Sequence, residues 1–209
     1  MNIQNPNFAN HKARATREID LELLALDLDS CTRCVGTFSN IETAIARVKS
    51  ILDVTGTKIT VKKILIESEE QAEAHRFVSS PTIRINNYDI VFETLESECD
   101  SCTDLCGCEE GTSCRIWKYQ GQKFTEAPVG LIVESLMKEI FGGLKGMTQE
   151  TNAYEGVPKN LQRFFASKAE KKFKEVSECC SAEEQEICCE PSEKEICCQT
   201  EESAMCGCQ

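Results

Sequence analysis

A cysteine pair set between an apolar run and a helical pattern limits most strongly the folds open to this chain. Residues 21–29 read LELLALDLD, an apolar stretch of strand length that predicts a buried strand. The loop after it carries Cys31-Thr32-Arg33-Cys34-Val35-Gly36-Thr37. Ser39, with Glu42 three residues later, has the form of a capping box. The spacing therefore predicts a helix that opens at Ser39 and runs along Ile41, Ala44, Ile45, Val48 and Leu52. Gly56 stops it.

Strand and helix signals continue to alternate. Residues 58–67 (KITVKKILIE) predict a second strand and residues 69–77 a short helix. Ser80-Pro81 leads into TIRI, and Asn86-Asn87 turns the chain towards Ile90 and Val91. Residues 115–119 alternate like a strand, which includes Trp117 and Tyr119, and Gly121 marks a turn. Val129, Ile132, Val133, Leu136 and Ile140 predict a last helix of the domain, closed by Gly142-Gly143. This order predicts an α/β class with a mixed sheet and flanking helices.

The 209 residues suffice for one domain with a real core and an appendage. The reading divides them into a polar extension at 1–18, a domain at 19–143 with a cysteine-rich insertion at 97–114, and a linker at 144–156. An amphipathic helical arm follows at 157–176, with Leu161, Phe164 and Phe165 on its apolar face, and an acidic tail at 177–209. No run approaches the roughly 18 apolar residues of a membrane span. The first twenty residues lack an apolar secretory core, so a cytoplasmic location is expected. The net charge of −12 makes nucleic acid and anionic membranes poor partners, because phosphate binding needs clustered Lys and Arg.

The 15 cysteines are the outlier. In a reducing compartment such thiols serve metal binding or catalysis more than a disulfide framework. They fall into three groups. Cys31 and Cys34 form the first. A thiol at a helix N-terminus has a lowered pKa, but a helix opening at Ser39 would leave Cys31 beyond its first turn and less activated. The two are read as a redox or ligand pair, able to receive an ion from other thiols of the chain, or else as half-buried inert thiols. Pro81, between a helix and a strand, stands where a cis-proline would face that loop.

The second group is Cys99, Cys102, Cys106, Cys108 and Cys114. Thiolates this close suit zinc or another soft ion, with redox-active disulfides or free thiols as the other readings. The third group is Cys179, Cys180, Cys188, Cys189, Cys197, Cys198, Cys206 and Cys208. Its CysCys unit recurs every nine residues among nine glutamates and one lysine. With so few apolar residues the tail is expected to be disordered without a ligand. Neighbouring Cα atoms lie about 3.8 Å apart, whereas disulfides usually span about 4.4–6.8 Å. Each pair therefore suits a thiophilic ion better than an internal disulfide. Three sulfurs fit pyramidal arsenic or antimony, two fit linear mercury, and four fit zinc or cadmium.

His11 and His75 are isolated and read as surface or packing residues. No nucleophile–His–acid set, phosphate loop or dinucleotide-binding glycine pattern occurs, so no organic cofactor is expected.

Together LDLDSCTRCVGT, SSPTIRIN, the Cys-rich insertion, CRIWKY and APVGLIVESL resemble a prokaryotic thioredoxin-like family of unknown function, over residues 21–141. The resemblance implies a thioredoxin-like fold. Cys34-Val35-Gly36-Thr37 and the tail pairs are also similar in style to the arsenical-resistance metallochaperones, though this chain has CxxC in the first loop and an additional middle cluster. The expected function is binding and transfer of soft metal or metalloid ions, with an efflux pump or a thiol reductant protein as partner. The alternative is a thiol–disulfide oxidoreductase with Cys31 as nucleophile, Cys34 as resolving thiol and Pro81 beside them.

Overall fold

The computed structural model describes residues 17–91, 93–142 and 154–177. Strand β1 (Arg17–Ala25) pairs in parallel with β2 (Thr57–Leu65), in register from Arg17 opposite Thr57 to Ala25 opposite Leu65. Helix α1 (Thr32–Thr55) makes the crossover between them. It ends at Gly56, whose φ of 67° is the left-handed conformation that glycine adopts without strain. The short helix α2 (Glu69–Ala74) leads to β3 (Thr82–Ile85), which lies antiparallel on the other side of β1, and β4 (Tyr88–Asp89) completes the order β2-β1-β3-β4. A second sheet contains β5 (Leu95–Glu98), β6 (Ser113–Tyr119) and β7 (Gln122–Phe124), with helix α3 (Asp100–Cys106) between β5 and β6. Helices α4 (Val129–Phe141) and α5 (Lys159–Ser177) follow. A mixed sheet and a smaller antiparallel one, flanked by helices, give the α/β class that the alternating pattern predicts, in an arrangement consistent with the thioredoxin-like fold that the resemblance implies. Among the described residues no helix is long and apolar enough to cross a membrane.

The burial of β1 shows where the two layers of helices meet the sheet. Ile19, Leu21 and Leu23 are buried, while Asp20 faces solvent. That alternation marks one covered face. From Leu23 to Leu26 every side chain is buried, so both faces are covered at this end. On one face Ile41, Ala44 and Val48 of α1 and Ile132 and Leu136 of α4 pack over Leu21, Leu23, Ile83 and Ile85. The opposite face of the strand's end is covered differently. There Leu24, Leu26, Ile66 and Phe77 share a core with Leu161, Phe164 and Phe165 and with the cysteines of the first loop and the insertion.

Several boundaries differ from the sequence expectation. The first strand ends at Ala25, not at Asp29, because Asp27 turns the chain. Its carboxylate accepts the backbone N–H groups of Asp29, Ser30 and Cys31 at 2.9, 3.0 and 2.6 Å. The first helix opens at Thr32, not at Ser39. Ser39 lies inside it, and its carbonyl accepts the Thr43 hydroxyl at 3.0 Å. Cys31 is the N-cap, and the Val35 N–H already bonds to its carbonyl at 3.0 Å. The short second helix stops at Ala74, with His75 as its C-cap. The turn at Asn86-Asn87 is as expected, both residues having positive φ. Trp117 and Tyr119 lie in β6 as expected. His11 is outside the described residues.

The helical arm is docked on the domain. Leu161 and Phe164 of α5 are fully buried. Asn160 pairs with the backbone of Ser113 in both directions, accepting at 3.2 Å and donating at 2.7 Å. Lys171 donates to the Asp104 carbonyl at 2.9 Å, which ties α5 to α3. Truncating a fully buried phenylalanine leaves a cavity and costs about 3–5 kcal/mol. Phe164→Ala should therefore lower the urea unfolding midpoint markedly and remove amide-exchange protection from α5. An unchanged midpoint would show that α5 does not belong to the cooperative unit.

Candidate thiolate metal centre

The site grows from the end of β1. Asp27 sits where that strand stops, and burial works to raise its pKa. The Ser30 hydroxyl and the N–H groups of Asp29, Cys31 and Ser30 outweigh burial and hold the carboxyl below its ordinary 3.8. This network shapes the turn that delivers Cys31 to the first position of α1. Cys34 follows within the first turn and faces inward. The Ser80–Pro81 peptide is cis, at the position the sequence singled out. Ser80 accepts the Leu26 N–H at 3.1 Å and lies 3.5 Å from the Cys34 sulfur. The cis-proline loop therefore packs directly on the cysteine loop.

The insertion repeats this local design. Cys99 is the N-cap of α3, and Cys102 lies in its first turn. Cys99-Asp100-Ser101-Cys102 is thus a second CxxC at a helix start. The Cys99 N–H bonds to the Thr112 carbonyl at 2.8 Å, which closes the segment on itself. Arg33, from inside the first CxxC, reaches across to this segment. Its guanidinium donates to the carbonyls of Ser97 and Cys114, each at 3.3 Å, and to that of Glu98.

The two CxxC segments meet at sulfur. The Sγ atoms of Cys31, Cys99 and Cys102 all lie within 4.8 Å of one another. The Cys102 thiol points at the Cys31 sulfur at 3.8 Å, and the Cys114 thiol at the Cys102 sulfur at 3.3 Å. Cys31, Cys34, Cys102 and Cys114 have no exposed surface, and Cys99 has 3%.

Contact between the thiols separates their acidities. Hydrogen bonds from Cys102 and Cys34 pull Cys31 down, and bonds from Cys102, Cys114 and Cys31 pull Cys99 down. Cys102 is pushed up, first by its bond to Cys114 and then by Cys31 and Cys99. Cys34 is pushed up by its bond to Cys31 and by burial. Cys114 is lowered by Cys102 but raised more by Cys99 and burial together, so it also ends high. Cys31 and Cys99 are thus the more acidic thiols of the group and Cys34, Cys102 and Cys114 the less acidic. A bound soft ion displaces the protons of the thiols that hold it. Three clustered, buried sulfurs can hold such an ion.

Cys106 and Cys108 stand apart from this group. They are joined to each other by a disulfide with their Cα atoms 5.2 Å apart. Cys106 also lies 3.3 Å from the Thr112 hydroxyl. The insertion therefore contributes Cys99, Cys102 and Cys114 to the cluster, while Cys31 comes from the loop that the sequence sets apart as its own redox or ligand pair. Cys179, Cys180, Cys188, Cys189, Cys197, Cys198, Cys206 and Cys208 lie outside the described residues. Sequence reasoning did not place Cys31 beside the insertion cysteines and missed Arg33 as the tie between the loops. The available signal was the second CxxC, placed at the start of a helix like the first.

The family described as Domain of unknown function (DUF2703) matches residues 18–136. The chain belongs to that family. The matched part of the DUF2703 domain includes Asp27, all five clustered cysteines and the cis-proline loop, and it ends before α5. No curated protein and no solved structure matches the chain.

The Asp27 turn should be measurable through stability. Asp27→Asn keeps the shape but removes the charge that accepts three backbone donors, at an expected cost of about 1–3 kcal/mol. A pKa held below 3.8 in the folded chain also gives the sign of the pH effect. The stabilisation is complete above that value and is lost as pH falls through the folded-state pKa. The gap between wild type and Asp27→Asn in urea melts should therefore close in acid. A gap that stays constant would show that the charge on Asp27 contributes nothing.

Proposed function

We propose that this protein binds soft metal or metalloid ions, of the arsenite, mercury, zinc or cadmium class, through cysteine thiolates and hands them on. The convergence of Cys31, Cys99 and Cys102 in one buried cluster carries this reading. Nothing in ordinary core packing calls for three sulfurs from two distant segments to meet, and burial shields a sulfur-bound ion from water and competing thiols. The tail pairs supply a second set of sulfurs on the same chain. Stepwise thiolate exchange between tail and domain would move an ion without releasing it. In style this resembles an arsenical-resistance metallochaperone serving an efflux pump, with a thiol reductant protein keeping the sulfurs reduced.

A thiol–disulfide oxidoreductase is the second reading, favoured by Cys31 at the N-cap of a 24-residue helix and by the cis-proline loop that lies against Cys34. The burial of Cys31 weighs against it, because exchange requires the attacking sulfur to reach its substrate. The strand β6 also crosses the cis-proline loop, where the Arg115 N–H bonds to the Ser80 carbonyl at 2.7 Å.

Native mass spectrometry of the reduced chain tests the proposal. Titration with arsenite, Hg(II), Zn(II) or Cd(II) should show ions on the wild type. A variant with all eight tail cysteines changed to serine should keep one ion, and that ion should disappear when Cys99→Ser and Cys102→Ser are added. A reduced wild type that binds none of the four would contradict the proposal. Insulin reduction that is abolished by Cys31→Ser would favour the oxidoreductase.

A further inference from the structure

We infer that the domain site is a four-thiolate tetrahedral centre completed by Cys114, built for a divalent d10 ion such as zinc or cadmium, with Cys34 left as a non-ligating thiol. This rests on the ion-binding reading above and specifies its coordination.

Cys114 starts the inference. It lies at the beginning of β6, opposite Ser97 in the register with β5, so the hairpin holds it beside the residues that lead into Cys99. It is fully buried, and its sulfur is 3.3 Å from that of Cys102. A tetrahedron with metal–sulfur bonds of about 2.3 Å has sulfur–sulfur edges of about 3.8 Å. The Cys31–Cys102 separation is 3.8 Å and the Cys102–Cys114 separation 3.3 Å. Cys31, Cys99 and Cys102 are already grouped within 4.8 Å of one another. Cys114 stands outside that trio but touches Cys102, and its sulfur would turn inward to complete the tetrahedron when an ion binds. A linear two-sulfur ion with bonds of that length would hold its ligands about 4.6 Å apart, wider than either measured contact.

Cys34 touches Cys31 but also has a partner outside the cluster. Its sulfur lies 3.5 Å from the Ser80 hydroxyl, against the cis-proline loop. Each segment therefore has a distinct role: the first CxxC gives one ligand, the second gives both of its cysteines, and the hairpin strand gives the fourth.

Charge agrees with four thiolates. A divalent ion with four thiolates carries two net negative charges, which a dry site tolerates only with compensation. The N-terminus of α1 opens at the ligand Cys31, where the aligned peptide dipoles favour negative charge. The Arg33 guanidinium is fixed on the carbonyls of Ser97, Glu98 and Cys114, which belong to or adjoin the ligand residues Cys99 and Cys114. A cation so held both offsets charge and orients ligands, as groups around metal sites commonly do. On binding, each coordinating thiol releases its proton to solvent, and no sulfur changes oxidation state.

The test uses the full reduced chain with the eight tail cysteines changed to serine, titrated with Co(II) and then with Zn(II). Cobalt should bind one to one and give the intense visible and charge-transfer bands of a tetrahedral tetrathiolate, and zinc should displace it. X-ray absorption of the zinc form should count four sulfurs without any change to the domain. Cys114→Ser should reduce the sulfur count to three and weaken zinc at least tenfold, whereas Cys34→Ser should leave count and affinity unchanged. Three or fewer sulfurs in the unsubstituted domain, or loss of one through Cys34→Ser, would overturn the tetrad. Arsenite binding with no cobalt or zinc uptake would also overturn it, while the ion-binding reading survived. No uptake of cobalt, zinc, cadmium, arsenite or mercury would end both.

Discussion

The reach of Arg33 across the domain is the interaction on which the site depends. A guanidinium presents several N–H donors in a fixed plane, and here they bind carbonyls at both strands of the β5–β6 hairpin. The residue that makes this link sits between Cys31 and Cys34. The cysteine loop and the cysteine-rich insertion are thus joined by a residue of the CxxC motif itself, and the sulfurs meet because their backbones are held together. Asp27 does the corresponding work on the strand side by shaping the turn into Cys31.

Burial then gives the cluster its chemical character. At the end of β1 both faces of the sheet are covered, and the thiols share a core with Leu24, Leu26, Phe77, Leu161 and Phe164. Sulfur packs there as readily as a methyl group, so the fold tolerates the cluster without a bound ion. The same burial makes exchange with a protein disulfide difficult. α5 closes one side of this core and runs out at Ser177, immediately before the tail cysteines begin. In sequence, the cysteine cluster and the proposed capture segment are therefore connected through the helix that covers the cluster.

Much of the fold was legible in local pattern. The apolar run from Leu21 as far as Ala25, the helical spacing from Ile41 to Leu52, TIRI and the helix from Val129 are all elements of the structure, because each buries the face its periodicity marks. The position of the cis-proline was legible too. The start of α1 was misplaced because Ser39 and Glu42 imitate a capping box, while the actual entry is organised by a side chain that precedes the helix, Asp27. The cysteine cluster was legible only in part. Cys99, Cys102 and Cys114 stood out by clustering in sequence, but so did Cys106 and Cys108, which pair with each other instead. Nothing local told Cys31 that its nearest sulfur neighbours would come from the insertion. That contact depends on the strand order and on Arg33, neither of which spacing encodes.

Differential alkylation read by mass spectrometry addresses the central claim most directly, that Cys31 and the insertion cysteines form one unit. The reduced chain would be labelled briefly with a small alkylating agent, with and without a saturating soft ion, and modification scored at each cysteine. The account predicts that Cys31, Cys99 and Cys102 become protected together, at the same ion concentration. Protection of Cys99 and Cys102 with Cys31 labelling at its ion-free rate would contradict it.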